Sequence, residues 1–224
     1  MTEDLEVFLR PTPAIESEHP EVAAFAREHA AARGGIDAAV RVFYAVRDGI
    51  RYDPYTVSLD AENLRASATL RRSRSWCVGK AVLLAACYRS LGLPARLGFA
   101  DVRNHLSTAR MRAQMRTDVF HWHGYTSVLL EGKWLKATPA FNLELCQKFG
   151  FQPLEFDGRQ DSLFQPFDTE GKRHMEYIRD RGEFADLPLD AIRATFADCY
   201  PNLELAERGD FDREVEAENR PARR

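Results

Sequence analysis

From Ala81 to Tyr88 the chain reads Ala-Val-Leu-Leu-Ala-Ala-Cys-Tyr, eight residues without one polar face, and this constrains the fold more than anything else in it. Three alanines favour helix over strand, and a helix that is apolar all round must be covered on nearly every side. The spacing predicts a helix from Cys77 to Leu91, capped by Gly92 and stopped by Pro94. In a chain of 224 residues, 45% of them hydrophobic, there is enough material for one sizeable core around that helix.

The flanking sequence supplies both kinds of cover. Upstream, helices are predicted from Ser17 to about Ala32 and from Asp37 to about Gly49, after a short strand over residues 3–9. Residues 59–73 read as a short helix or turn, with the basic cluster Arg71, Arg72 and Arg74 where it ends. Downstream, Ala95 to Val102 reads as a strand, and His121–Leu130 and Lys133–Thr138 read as a hairpin turning at Glu131-Gly132. The arginine-rich stretch 103–118 is expected to be a loop, and helices are expected near 170–181 and 188–199. The charged end, 206–224, is expected to be frayed. These elements imply an α+β domain over residues 1–205, with a core from about 36 to 142, a helical extension from about 150 to 205 and a disordered tail.

Charge and composition narrow the function. A formal net charge of −3 leaves no basic excess to attract nucleic acid or an anionic membrane, so neither partner is expected. The acidic Met1-Thr2-Glu3-Asp4 start lacks the features of a secretory signal, and no apolar run reaches membrane-spanning length, which makes a cytoplasmic location the expectation. The four cysteines (Cys77, Cys87, Cys146, Cys199) contain no CxxC pair and are read as free thiols.

Of these, Cys77 stands apart. It heads the apolar helix, where unpaired backbone N–H groups and the helix dipole favour a thiolate and can hold an oxyanion. Gly79 removes bulk near the thiol, and Lys80 or the neighbouring arginines would add positive potential. Downstream, Phe120-His121-Trp122-His123-Gly124-Tyr125 offers a base. Strand alternation puts His121, His123, Tyr125, Ser127 and Leu129 on one face. A two-residue turn sets Tyr125 opposite Thr138, so Thr138, and Asn142 if pairing survives Pro139, would neighbour His123 and steady its ring. Trp76, Trp122 and Tyr125 either wall a substrate cleft or pack the core. No metal or other cofactor is expected, although the His121–His123 pair leaves a metal-dependent hydrolase as an alternative.

Taken in order, these residues resemble the transglutaminase-like superfamily, which has a papain-like core. The resemblance runs from about Ile36 to Asn142. It rests on Gly49-Ile50-Arg51-Tyr52-Asp53-Pro54, on the helix from Cys77 to Leu91-Gly92-Leu93-Pro94-Ala95-Arg96, and on His123 placed eleven residues before the tryptophan of Glu131-Gly132-Lys133-Trp134. It implies a buried helix carrying a cysteine nucleophile, Cys77, packed on an antiparallel sheet carrying the base, His123. The family's third member, an Asp before a proline, falls here on Thr138 before Pro139. Thr138 or Asn142 takes its place, or an acid such as Asp118, Asp157 or Asp161 supplies it, or the site is weak or inactive. Without a calcium-site signature, the resemblance implies a cysteine peptidase or amidase acting on a peptide, protein or small-molecule amide through a thioester. The alternative it leaves is an inactive module that binds a peptide or protein.

Overall fold

The computed structural model describes residues 4–104, 108–150, 152–163, 175–201 and 209–218. Its centre is the apolar helix. Here α4 (Cys77–Ser90) is buried from Cys77 to Arg89, and Gly92 follows at φ 74, the left-handed angle that ends a helix without a Cβ clash. Three helices cover one side of it: α1 (Pro20–Ala30), α2 (Gly35–Gly49) and α3 (Ala66–Arg72). A four-stranded antiparallel sheet covers the other, in the order β5-β4-β3-β6, with β3 at Ala95–Asn104, β4 at Val119–Leu130, β5 at Lys133–Ala137 and β6 at Met175–Phe184.

The α4 helix carries two buried charges, and both cap carbonyls. The Lys80 ammonium donates to Arg47 O at 2.8 Å and to Ile50 O, at the C-terminal end of α2, and burial pushes its pKa down to about 7. The Arg89 guanidinium donates to the carbonyls of Ala95, Arg10 and Ala185. Lys80 therefore lends its charge to α2 and not to the thiol. The nearby arginines are likewise engaged elsewhere: Arg71 with Glu21, Arg72 with Ala68 O and Asn63 O, and Arg74 with Asp53. Gly79 serves packing, because a Cβ there would lie 2.1 Å from Ser75 Oγ and 2.9 Å from Thr69 Oγ1.

The hairpin forms in the register the sequence implies, Leu130 facing Lys133 and Thr126 facing Ala137. Glu131 and Gly132 both take positive φ, 48° and 78°, the twist that suits a two-residue hairpin turn. Other expectations change. Residues Leu5–Phe8 form a 3-10 helix in place of a strand, and α1 is capped by His19, not Ser17. Within the arginine-rich stretch lies α5 (Ala109–Met115), capped by Thr108 and holding Met111 and Met115 inward. The expected helix near 170–181 is instead β6 over its described part, and 170–174 lie outside the described residues. Two further helices, α6 (Leu143–Phe149) and α7 (Leu189–Cys199), follow β5 and β6. Within the expected tail, Phe211–Glu218 forms α8, whose apolar stripe buries Phe211 and Val215; the rest of 206–224, apart from Gly209 and Asp210, lies outside the described residues.

A small parallel pair places the site. In it β1 (Arg51–Tyr52) pairs with β2 (Arg74–Ser75), setting Tyr52 beside Ser75 just before Trp76 and Cys77. Asn142 locks this in place by accepting the Tyr52 N–H at 3.1 Å.

Candidate active site

Cys77 is the first residue of α4, with Trp76 at its cap in extended conformation. It is 5% exposed. The strand β4 reaches it because residue 124 is glycine: a Cβ there would stand 3.1 Å from Val78 Cα. That approach brings the Gly124 amide to the sulfur, where it joins the amides of Val78 and Cys77 itself in favouring the thiolate, but burial outweighs all three and pushes the thiol up to about 11. The resting site therefore holds a thiol, whereas the helix head alone would suggest a thiolate.

His123, the residue before Gly124, is 4% exposed, and burial drives its pKa down to about 3. It lines one cavity with Cys77. The cavity holds about 60 Å³, room for a few waters, and its other walls include Tyr52, Tyr55, Trp76, His121, Phe196 and Tyr200. The expected pair thus meets on one cleft, as a neutral thiol and a neutral imidazole.

The residues expected to steady His123 do other work. Thr138 follows directly after β5 and is buried, its N–H donating to Ser162 O at 3.2 Å; its Oγ1 makes no hydrogen bond among the described residues. Pairing with β4 stops at Ala137. Asn142 begins α6, and its carbonyl oxygen is taken by Tyr52. Of the acids considered, Asp118 pairs with Arg103, Asp157 caps Arg159 and Gln160, and Asp161 accepts from Lys136 N.

Of the three aromatic residues, only Trp76 walls this cavity, edge-on to Phe196 at 5.9 Å. The face alternation expected of β4 breaks at Trp122, which takes φ 59 where β3 and β4 slip register between Ala100 and Val102. Trp122 packs edge-on to Phe99 and donates its indole N–H to Thr195 Oγ1 at 2.9 Å. Beyond the slip, Gly124 and Thr126 face α4, so Tyr125 lies on the other face of the sheet, over Gly98 and hydrogen-bonded to Glu183.

The same bulge makes a contact that the motifs missed. Asp101, opposite the bulge on β3, accepts the Trp122 N–H at 3.1 Å and both arms of the Arg181 guanidinium at 2.9 and 2.7 Å, and it stands 3.1 Å from His121 Nδ1. These donors, Arg181 first, hold its carboxyl below the usual range against the opposing effect of burial. A lone acid in the apolar strand Leu97-Gly98-Phe99-Ala100-Asp101-Val102 was the available signal, since a buried charge requires partners. No group of three His, Cys, Asp or Glu side chains that could hold a metal ion occurs among the described residues.

A thiol heading a buried helix and an imidazole on the adjoining antiparallel strand, sharing one cleft, define a papain-like α+β domain. The family model of the transglutaminase-like superfamily matches residues 23–139, and the chain belongs to that superfamily. No curated protein matches it. Among solved structures it is similar to one from Cytophaga hutchinsonii described as a "Putative Cysteine Protease" (16% identity, TM-score 0.48, 62% of this chain and 43% of that one). It is also similar to one described as a "Putative Protease" from Parabacteroides distasonis ATCC 8503 (15% identity, TM-score 0.40, 60% and 25%). The matched region thus spans less than half of either chain. No helix among the described residues is long and apolar enough to cross a membrane.

Proposed function

We propose that the chain is a thiol-dependent acyl-transfer enzyme, a cysteine peptidase or amidase that cleaves peptide-like amides through a thioester. The observation that carries this reading is that Cys77 and His123 line one small cleft, with the Gly124 amide directed at the sulfur. His123 takes the Cys77 proton as the sulfur attacks the amide carbonyl. The C–N bond then breaks, the amine leaves with that proton, and the acyl group stays on sulfur. Amides at the head of α4 are placed for the oxyanion. Because both groups rest neutral, proton transfer belongs to the attack itself and not to a standing ion pair.

A panel of peptide p-nitroanilides tests it. Turnover of at least one member, abolished in Cys77→Ala, is the expected result; no turnover of any member, with peptide binding retained, would favour instead a binding module. That second reading draws on Thr138 standing where the superfamily places an acid.

A further inference from the structure

The cleft has two imidazoles, and they differ in surroundings. His123 is enclosed, while the His121 side chain keeps 19% of its surface open and its Nδ1 lies against the Asp101 carboxylate. Two groups face Nδ1: the Asp101 carboxylate, which only accepts, at 3.1 Å, and Arg181 Nη2, which only donates, at 3.4 Å; the closer contact puts the proton on Nδ1 and leaves Nε2 as the acceptor nitrogen. Asp101 is itself fixed. One oxygen takes Trp122 N–H and Arg181 Nε, and the other takes Arg181 Nη2 and His121 Nδ1, which fills its capacity as an acceptor. Tyr200, another wall of the cavity, holds the backbone on the other side, accepting the His121 N–H at 2.8 Å and donating to Val119 O at 2.7 Å. The imidazole is therefore oriented from both its ring and its main chain, with a carboxylate to stabilise the cation when a proton arrives.

We infer that the chain divides its acid–base work between two histidines: His121, oriented by Asp101, is the general base of the second half-reaction, in which the acceptor removes the acyl group from Cys77. The inference rests on the thioester reading above. The acceptor, water or an amine, comes from solvent, and the more open imidazole is the one it can meet. With water, His121 Nε2 takes a proton as the oxygen bonds to the acyl carbon. The C–S bond breaks with its electron pair on Cys77 Sγ, and the proton held by His121 returns to that sulfur, leaving acid and thiol. Asp101 and Arg181 are positioning residues, acting through the ring. The acid absent at Thr138 is thus supplied from β3, and to the other histidine.

Partial rates with p-nitrophenyl acetate separate the steps. In His121→Gln the initial release of p-nitrophenol, equal to one acyl group per Cys77, is expected to stay within about threefold of wild type, while steady turnover falls about a hundredfold, the usual range for loss of a general base. Asp101→Asn should show the same split in smaller degree. Hydroxylamine, an acceptor that needs no base, should restore turnover in His121→Gln. Wild-type turnover in His121→Gln, equal loss of both phases in a folded variant, or no rescue by hydroxylamine would overturn the inference. Failure of wild type to acylate Cys77 would instead overturn the thioester reading beneath it.

Discussion

At the scale of single residues, burial outweighs favourable placement. Cys77 has the helix head and three amides in its favour and still rests as a thiol, because the cost of desolvating an anion exceeds what those dipoles return. His123 shows the same effect with opposite sign, and it has a measurable consequence. Its folded pKa of about 3 lies below the value near 6.5 expected unfolded, so the unfolded chain binds a proton the folded one refuses. Stability from this group is full above pH 6.5 and is lost as pH falls through 3, by roughly 5 kcal/mol in all. Urea unfolding of wild type and His123→Gln across that range is expected to show a steeper acid loss in wild type; parallel curves would mean the histidine is not enclosed as described. These environments could not be seen in the sequence, where Cys77 and His123 were legible as types and spacings but their enclosure depends on Phe196, Tyr200 and other residues remote in the chain.

At the scale of elements, glycine placement sets the site. Gly124 lets β4 approach α4 closely enough for its amide to reach the sulfur, and Val78 Cα is backbone that cannot rotate away. Gly124→Ala is expected to cost about 1–3 kcal/mol by overpacking, and to slow acylation of Cys77 more than tenfold in the folded protein as the strand withdraws. Unchanged acylation would show that the close approach is not needed. The helix α4 and the β4–β5 hairpin were legible because each is written locally, one as an unbroken apolar run and the other as period-two alternation around Glu131-Gly132. The strand β6 was not. Its sequence, Met-Glu-Tyr-Ile-Arg-Asp-Arg-Gly-Glu-Phe, is polar and half-exposed, and it is a strand because β3 offers it an edge. The bulge at Trp122 was equally hidden, and with it the meeting of Asp101, His121 and Arg181, which joins three strands.

At the scale of the whole molecule, the site is assembled from segments far apart in the chain. The superfamily match covers α4, β3, α5, β4 and β5, yet the cleft is closed by Phe196 and Tyr200 from the C-terminal third. The helix α8 backs this wall: Phe211 packs edge-on to Tyr52 and Tyr55, Asp212 pairs with Arg51, and Glu216 with Lys148. Its charged composition suggested a loose tail, but its two apolar residues fall four apart and so share one helical face. The central claim, that Cys77 carries the acyl group, is tested most directly by peptide mapping of the protein quenched in acid during reaction with p-nitrophenyl acetate. The expected result is one acetyl group on Cys77, absent in Cys77→Ala and present in Cys199→Ala; acetylation confined to the more exposed Cys199, or none at any thiol, would contradict it.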